Sequence, residues 1–333
     1  MSHSRQRLAA TLGAVLGLLL FSPAALADTL PGSTWVALSP LPKQAGSAVF
    51  ALATDPTNNQ VVIAGTSAGA LVRSTNGGST WSVVHSGTTQ IATISFDPFT
   101  PGQVLAGTLS SGALFSHDGG ATWSPATGLE GRAVLAFGFA LTLVVAGTDH
   151  GVFVSPDGQA WTASGLGTTR VGAIAVEAIH SPVRVVAASD AAGQAGSLTM
   201  YQSIDSGANW IQVTPPIGGT LAIRMVAGPL PPTGGTRPLL IGTNGGLFES
   251  LDNGATFTPL SGGELLPSID YTQMAFISDH FDRFYAASDG GGSGSGGLWR
   301  TDDSGHTFNS LVAPLPSVAA LAVSNEDAPI LYV

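Results

Sequence analysis

Ser116-His117-Asp118-Gly119-Gly120-Ala121-Thr122-Trp123 decides the fold of this chain, because a version of it occurs six times. The other copies are Ser74-Thr75-Asn76-Gly77-Gly78-Ser79-Thr80-Trp81, Ser155-Pro156-Asp157-Gly158-Gln159-Ala160-Trp161, which is one residue short, Ser203-Ile204-Asp205-Ser206-Gly207-Ala208-Asn209-Trp210, Ser250-Leu251-Asp252-Asn253-Gly254-Ala255-Thr256-Phe257 and Thr301-Asp302-Asp303-Ser304-Gly305-His306-Thr307-Phe308. Their terminal aromatics stand 42, 38, 49, 47 and 51 residues apart. A period of that size means a repeat protein with one small sheet per repeat.

Each copy has the chemistry of a tight turn. A Ser or Thr supplies a hydroxyl, the Asp or Asn two positions on accepts from turn amides, and a Gly tolerates positive φ. The aromatic then opens the next strand, where its ring can be buried between neighbouring repeats. Upstream, β-branched runs bounded by turn residues give the other strands. In the first repeat these are Ala48–Thr54, Val61–Gly65 and Gly69–Ser74, and in the second Ala92–Phe96, Val104–Gly107 and Ala113–Ser116. The second strands end in small residues such as Ala146-Gly147-Thr148 and Ala187-Ala188-Ser189, expected to suit crowding near a central channel. The stretches 229–235 and 290–297, rich in Gly, Pro or Ser, read as insertions within repeats.

The signature resembles the Asp-box, the repeat of sialidases, xyloglucanases, sortilin-type receptors and the photosystem II assembly factor family. There it joins the third and fourth strands of a β-propeller blade. The resemblance therefore implies an all-β propeller, with Asn76, Asp118, Asp157, Asp205, Asp252 and Asp303 as turn formers and Trp81, Trp123, Trp161, Trp210, Phe257 and Phe308 as buried rings. It does not fix the activity, since families sharing the repeat do unrelated things.

Both termini point to a further blade. Gly32-Ser33-Thr34-Trp35 duplicates the tail of the first signature, while Val318–Val323 and Ile330–Val333 read as an inner and a second strand. The expectation is a seven-bladed ring, six signature blades plus one closed by both ends, with six blades as the alternative.

Arg5 and Arg7 precede an apolar run from Leu8 to Phe21 and the small-residue site Ala25-Leu26-Ala27. This reads as a secretory signal peptide over residues 1–27, leaving 28–333 as a single propeller domain, periplasmic or secreted. The run is shorter than the roughly 20 residues a spanning helix needs, so no membrane insertion is expected after cleavage. With no cysteine, the fold has no disulfide and no lipid-modified N-terminus. Losing two of the 11 basic residues with the signal moves the net charge from −10 to −12. Such a surface repels phosphate backbones, which argues against nucleic acid as a partner.

The resemblance puts ligand sites on the face formed by the loops after the second strands and between blades, opposite the signatures. Residues expected there are Asp149, Asp190 and Asp289 as weak catalytic candidates, with His150, Asn244, Arg132, Arg170, Glu264 and Tyr271 as ligand-binding candidates, beside Lys43, Glu130 and Asp270. A sialidase needs an arginine cluster and a Tyr activated by a Glu, and its Phe/Tyr-Arg-Ile-Pro motif is absent from the sequence. A xyloglucanase-like hydrolase needs two carboxylates across a cleft, and those enzymes resemble two tandem propellers. The remaining reading is a monomeric, non-enzymatic binding or assembly scaffold with a protein or carbohydrate ligand and no cofactor, with glycoside hydrolase as the alternative. The photosystem factor family presents a basic arginine patch, from which this acidic chain departs. The histidines lack metal-ligand spacing, so no metal site is expected.

Overall fold

The structure is a computed structural model that describes residues 5–8, 34–45, 48–178, 181–189, 198–213, 222–229, 236–263, 265, 270–277, 280–288, 296–315, 318–324 and 330–333. Six four-stranded antiparallel sheets follow one another along the chain as blades. Blade one comprises Val49–Asp55, Asn58–Thr66, Leu71–Ser74 and Ser82–His85, and blade two Ile91–Phe96, Val104–Thr108, Ala113–Ser116 and Ser124–Pro125. Blade three is Val134–Ala140, Leu143–Thr148, Gly151–Ser155 and Thr162–Gly165; blade four is Val171–Glu177, Arg184–Ser189, Met200–Ser203 and Ile211–Val213. Blade five is Ala222–Ala227, Leu239–Thr243, Gly246–Ser250 and Thr258–Pro259; blade six is Tyr271–Ile277, His280–Ser288, Gly296–Thr301 and Asn309–Leu315. A 3-10 turn at Lys43–Ala45 leads into the first blade.

Every inner strand slips register after its first pair, between Val49 and Ala51 in blade one, Ile91 and Thr93 in blade two, and likewise through Tyr271 and Gln273 in blade six. A bulge repeated at one position bends each strand and increases its twist in the same way, which suits blades arranged around an axis.

The small residues of the second strands are explained by the next blade, which corrects the expectation of crowding at the channel. A Cβ on Gly107 would lie 2.4 Å from the Val134 carbonyl oxygen, and one on Gly242 2.3 Å from that of Tyr271. The cores lie between blades for the same reason. Ile63 and Leu71 of blade one pack with Ile91, Ile94 and Val104 of blade two, and Trp123 closes over them. Trp161, Phe257 and Phe308 occupy the corresponding places at later interfaces, each at most 5% exposed.

The expectation of a seven-bladed ring is corrected to six blades, the stated alternative. The C-terminal strands are shorter than expected, Ala322–Val323 paired with Leu331–Tyr332, and form a two-stranded ladder. That ladder packs against Ile277, Tyr285 and Leu298 of blade six on one side and Leu52, Val62 and Ala64 of blade one on the other. Thr34–Ala37 pairs in parallel with Arg5–Leu8, which contacts Leu331–Tyr332. The parallel pairing is unlike the antiparallel blades, and the two terminal ladders are separate sheets. The insertions at 229–235 and 290–297 fall largely outside the described residues; strands resume at Leu239 and Gly296.

Candidate functional site

The six signatures form one local structure. In the second copy Ser116 Oγ donates to Asp118 Oδ1 at 2.7 Å and accepts from the Gly120 amide at 2.9 Å, while Asp118 accepts from the Thr122 amide and hydroxyl at 2.9 and 2.6 Å. Asn76 makes the equivalent contacts in the first copy, accepting from the Thr80 amide at 2.8 Å, so the turn needs an acceptor rather than a charge. Burial alone would raise the Asp118 carboxyl, but it is outweighed by bonds from the Thr122 hydroxyl and amide, Ser116 and the Ala121 amide, which hold its pKa at about 2. The Thr307 hydroxyl and amide hold Asp303 at about 2 in the same way. These aspartates are ionised and committed to their turns.

The turns also fix which face is which. The Gly77 amide donates to the Gln60 carbonyl at 2.9 Å, and Gly119 to Gly102, Ser206 to Val183 and Ser304 to Asp282 at the same length. Signature turns therefore share a face with the turns joining first and second strands. Inter-blade bonds run along it too: Arg73 Nε donates to the Gly119 carbonyl at 2.7 Å, Gln103 Nε2 to that of Asp157 at 2.9 Å and Gln202 Nε2 to that of Asn253 at 3.0 Å.

On the opposite face, where sequence placed the ligand, each described candidate has its own local setting. Asp149 accepts from the Ala133 amide at 3.1 Å and lies 3.2 Å from exposed His150, bracing the loop between blades. Arg132 lies over the Phe153 ring, 4.8 Å from its centroid. Glu130 is exposed and accepts from the Gly128 amide. Tyr271 is fully buried against Trp299, so it belongs to the core of blade six and not to a ligand face. Lys43 is exposed, whereas Arg170, Asn244 and Asp270 are half-buried. Asp190, Asp289 and Glu264 lie outside the described residues.

A cavity of about 400 Å³ runs down the propeller axis. It is walled by inner-strand residues of all six blades and by Leu321, Ala322 and Val323, and it reaches the signature face through Pro56, Pro98, Phe99 and Arg237. Its walls mix polar and apolar surface, and among the described residues they include two arginines, Arg224 and Arg237, and no acidic residue. Sequence reasoning missed both arginines because it searched the loops. The available signal was Arg224 inside Ala-Ile-Arg-Met-Val-Ala, at a register where blades one to four carry Ala or Thr. Among the described residues no group of three or more His, Asp or Glu stands where it could hold a metal.

No protein-family model matches the chain, and no curated protein sequence matches it. Among solved structures, an ancestral GH74 enzyme superposes with a TM-score of 0.58 at 19% identity, over 86% of this chain and 41% of the enzyme. YCF48 bound to D1 peptide gives 0.52 at 16%, over 79% of this chain and 80% of that one. The WD40 repeats of RRP9 give 0.60 at 13%, over 83% and 84%. The chain spans 41% of the GH74 enzyme's length but most of each of these single propellers. At these identities the likeness shows the fold, a β-propeller, shared by enzymes and by binding proteins alike.

Proposed function

We propose that this chain is an exported, non-enzymatic propeller of the Asp-box type whose signature face binds a protein partner. The observation that carries the reading is the residue after the Ser or Thr of each signature, an exposed position in every copy. It is Thr75, His117, Pro156 and Asp302 in four blades, but Ile204 and Leu251 in blades four and five, 58% and 63% exposed. Leu141, in the first-to-second-strand turn of blade three, is 73% exposed on the same face. One exposed aliphatic is ordinary, whereas three on successive blades of one face mark a contact surface.

Aliphatic side chains suit a protein surface better than a sugar, which stacks on aromatic faces. A propeller of the same fold, YCF48, has been solved with a peptide. The hydrolase alternative has less support: Asp149 is engaged by the Ala133 amide and His150, and the acids of the signatures are engaged by their turns.

A photo-crosslinking residue at position 204 or 251, expressed with the full chain in its own cell, tests the reading. A discrete adduct should form from these positions and not from position 150 on the opposite face. Adducts from 150 alone, or equal labelling from all three, would overturn it.

A further inference from the structure

Equivalent positions of the six inner strands form one layer in register, from which Ala136 and Arg224 line the cavity. Ala51, Thr93, Ala136, Ala173, Arg224 and Gln273 each follow the register slip and pair with a small residue of the second strand. Three alanines and a threonine leave the layer's centre open to one long side chain. Arg224 fills it, reaching from blade five to blade two, where Nη1 donates to Thr93 Oγ1 at 3.4 Å. That length is at the outer limit of a hydrogen bond, and a guanidinium carries five N–H donors in a fixed fork. Desolvation by the enclosing protein lowers the Arg224 pKa from its ordinary value. Toward the signature face the Nε of Arg237 is buried without a hydrogen-bond partner among the described residues.

Two guanidinium groups thus border one cavity whose lining, among the described residues, has no carboxylate. A buried charge is ordinarily paired, and a planar fork of donors matches a carboxylate in bidentate fashion. We infer that the channel is a binding site for a small organic monocarboxylate, its carboxylate held by Arg224, its apolar body packed on Phe96, Phe139, Met225 and Met274, and Arg237 adding positive charge at the signature-face mouth. These four side chains line the cavity beside the arginines. The cavity volume falls at the small end of the range for ligand pockets, roughly 300–1,000 Å³. Inorganic phosphate is a poorer match, because its strong hydration would need more donors than these walls supply. The site is independent of the protein-binding surface proposed above, so either can fail alone.

Calorimetric titration of the full chain with phenylacetate, with neutral 2-phenylethanol and with inorganic phosphate tests the inference. Phenylacetate should bind about tenfold or more tighter than either of the others and raise the melting temperature. Arg224→Met should lose about tenfold in phenylacetate affinity while melting at or above the wild-type temperature, since it removes an uncompensated enclosed charge. Arg237→Gln should weaken binding in the same direction. Equal affinity for phenylacetate and 2-phenylethanol, stronger binding of phosphate, no binding of phenylacetate up to about 10 mM, or unchanged affinity in a folded Arg224→Met variant would overturn it. The ligand comparison needs only the wild-type protein, so the inference remains testable if a variant does not fold.

Discussion

Thr54 Oγ1 donates to the carbonyl oxygen of Val323 at 2.7 Å, joining blade one to the C-terminal ladder across 269 positions of sequence. On the other flank Thr272 Oγ1 donates to the Val318 carbonyl at 3.0 Å and Gln273 Nε2 to that of Ala319 at 3.2 Å. The ladder is thus tied to blade six and to blade one by side chains as well as by packing.

Closure should therefore respond to isosteric removal of these hydroxyls. Thr54→Val and Thr272→Val should each lower stability by about 0.5–1.5 kcal/mol, and by nearly the sum in the double variant, because the two sites sit on opposite flanks. Deleting residues 28–41 should cost more, since Leu38 and Leu41 pack on the blade-one core and Ser39 Oγ donates to the Ser79 carbonyl at 2.5 Å. Differential scanning calorimetry of the monodisperse variants measures both, and wild-type melting in the deletion would argue against closure through the termini.

The signature turns predict a graded response at Asp118. Asp118→Asn, which copies Asn76 in the first blade, should cost little, whereas Asp118→Ala should cost about 1–2 kcal/mol by leaving the Thr122 amide without its acceptor. Denaturant titration of both variants checks the order; equal losses would show that charge matters more than the bond.

Acid should weaken the ring through the same groups. The folded pKa values of Asp118 and Asp303, about 2, lie below the ordinary value of 3.8. Their contribution to stability is complete above that value and is lost as pH falls from it toward 2. Melting temperature measured across this window should fall with pH, and Asp118→Asn should flatten part of the slope. A slope identical to wild type in that variant would contradict the assignment.

Trp161 buries its ring at the interface of blades two and three and donates Nε1 to the Gly158 carbonyl at 2.9 Å. Trp161→Ala should cost roughly 3–5 kcal/mol. Gly120→Ala should also destabilise, because a Cβ there, at φ +79°, would lie 2.2 Å from Ile63 Cδ1. Urea midpoints give both values.

Much of the fold was legible because each blade repeats its local chemistry. Ala113–Ser116 was read to the residue, and the signature gave the turn between third and fourth strands in every blade. Closure was less legible, because the C-terminal strands carry no signature and are held by Thr54, Thr272 and Gln273, whose roles depend on distant neighbours. Tyr271 was misplaced because the run after it, Thr272-Gln273-Met274-Ala275-Phe276-Ile277, is not β-branched enough to mark where the inner strand starts. Arg224 was legible only by aligning the inner strands in register, where its charge stands against Ala51, Ala136 and Ala173.

The most direct measurement is recovery of a stoichiometric partner with the tagged full chain from its own cells, compared between wild type and Ile204→Ser/Leu251→Ser. Both chains should melt at the same temperature, since the two side chains are exposed, while the partner is retained by the wild type and lost from the variant. Equal recovery by two folded chains, or no stoichiometric partner with either, would contradict a protein-binding role for the signature face.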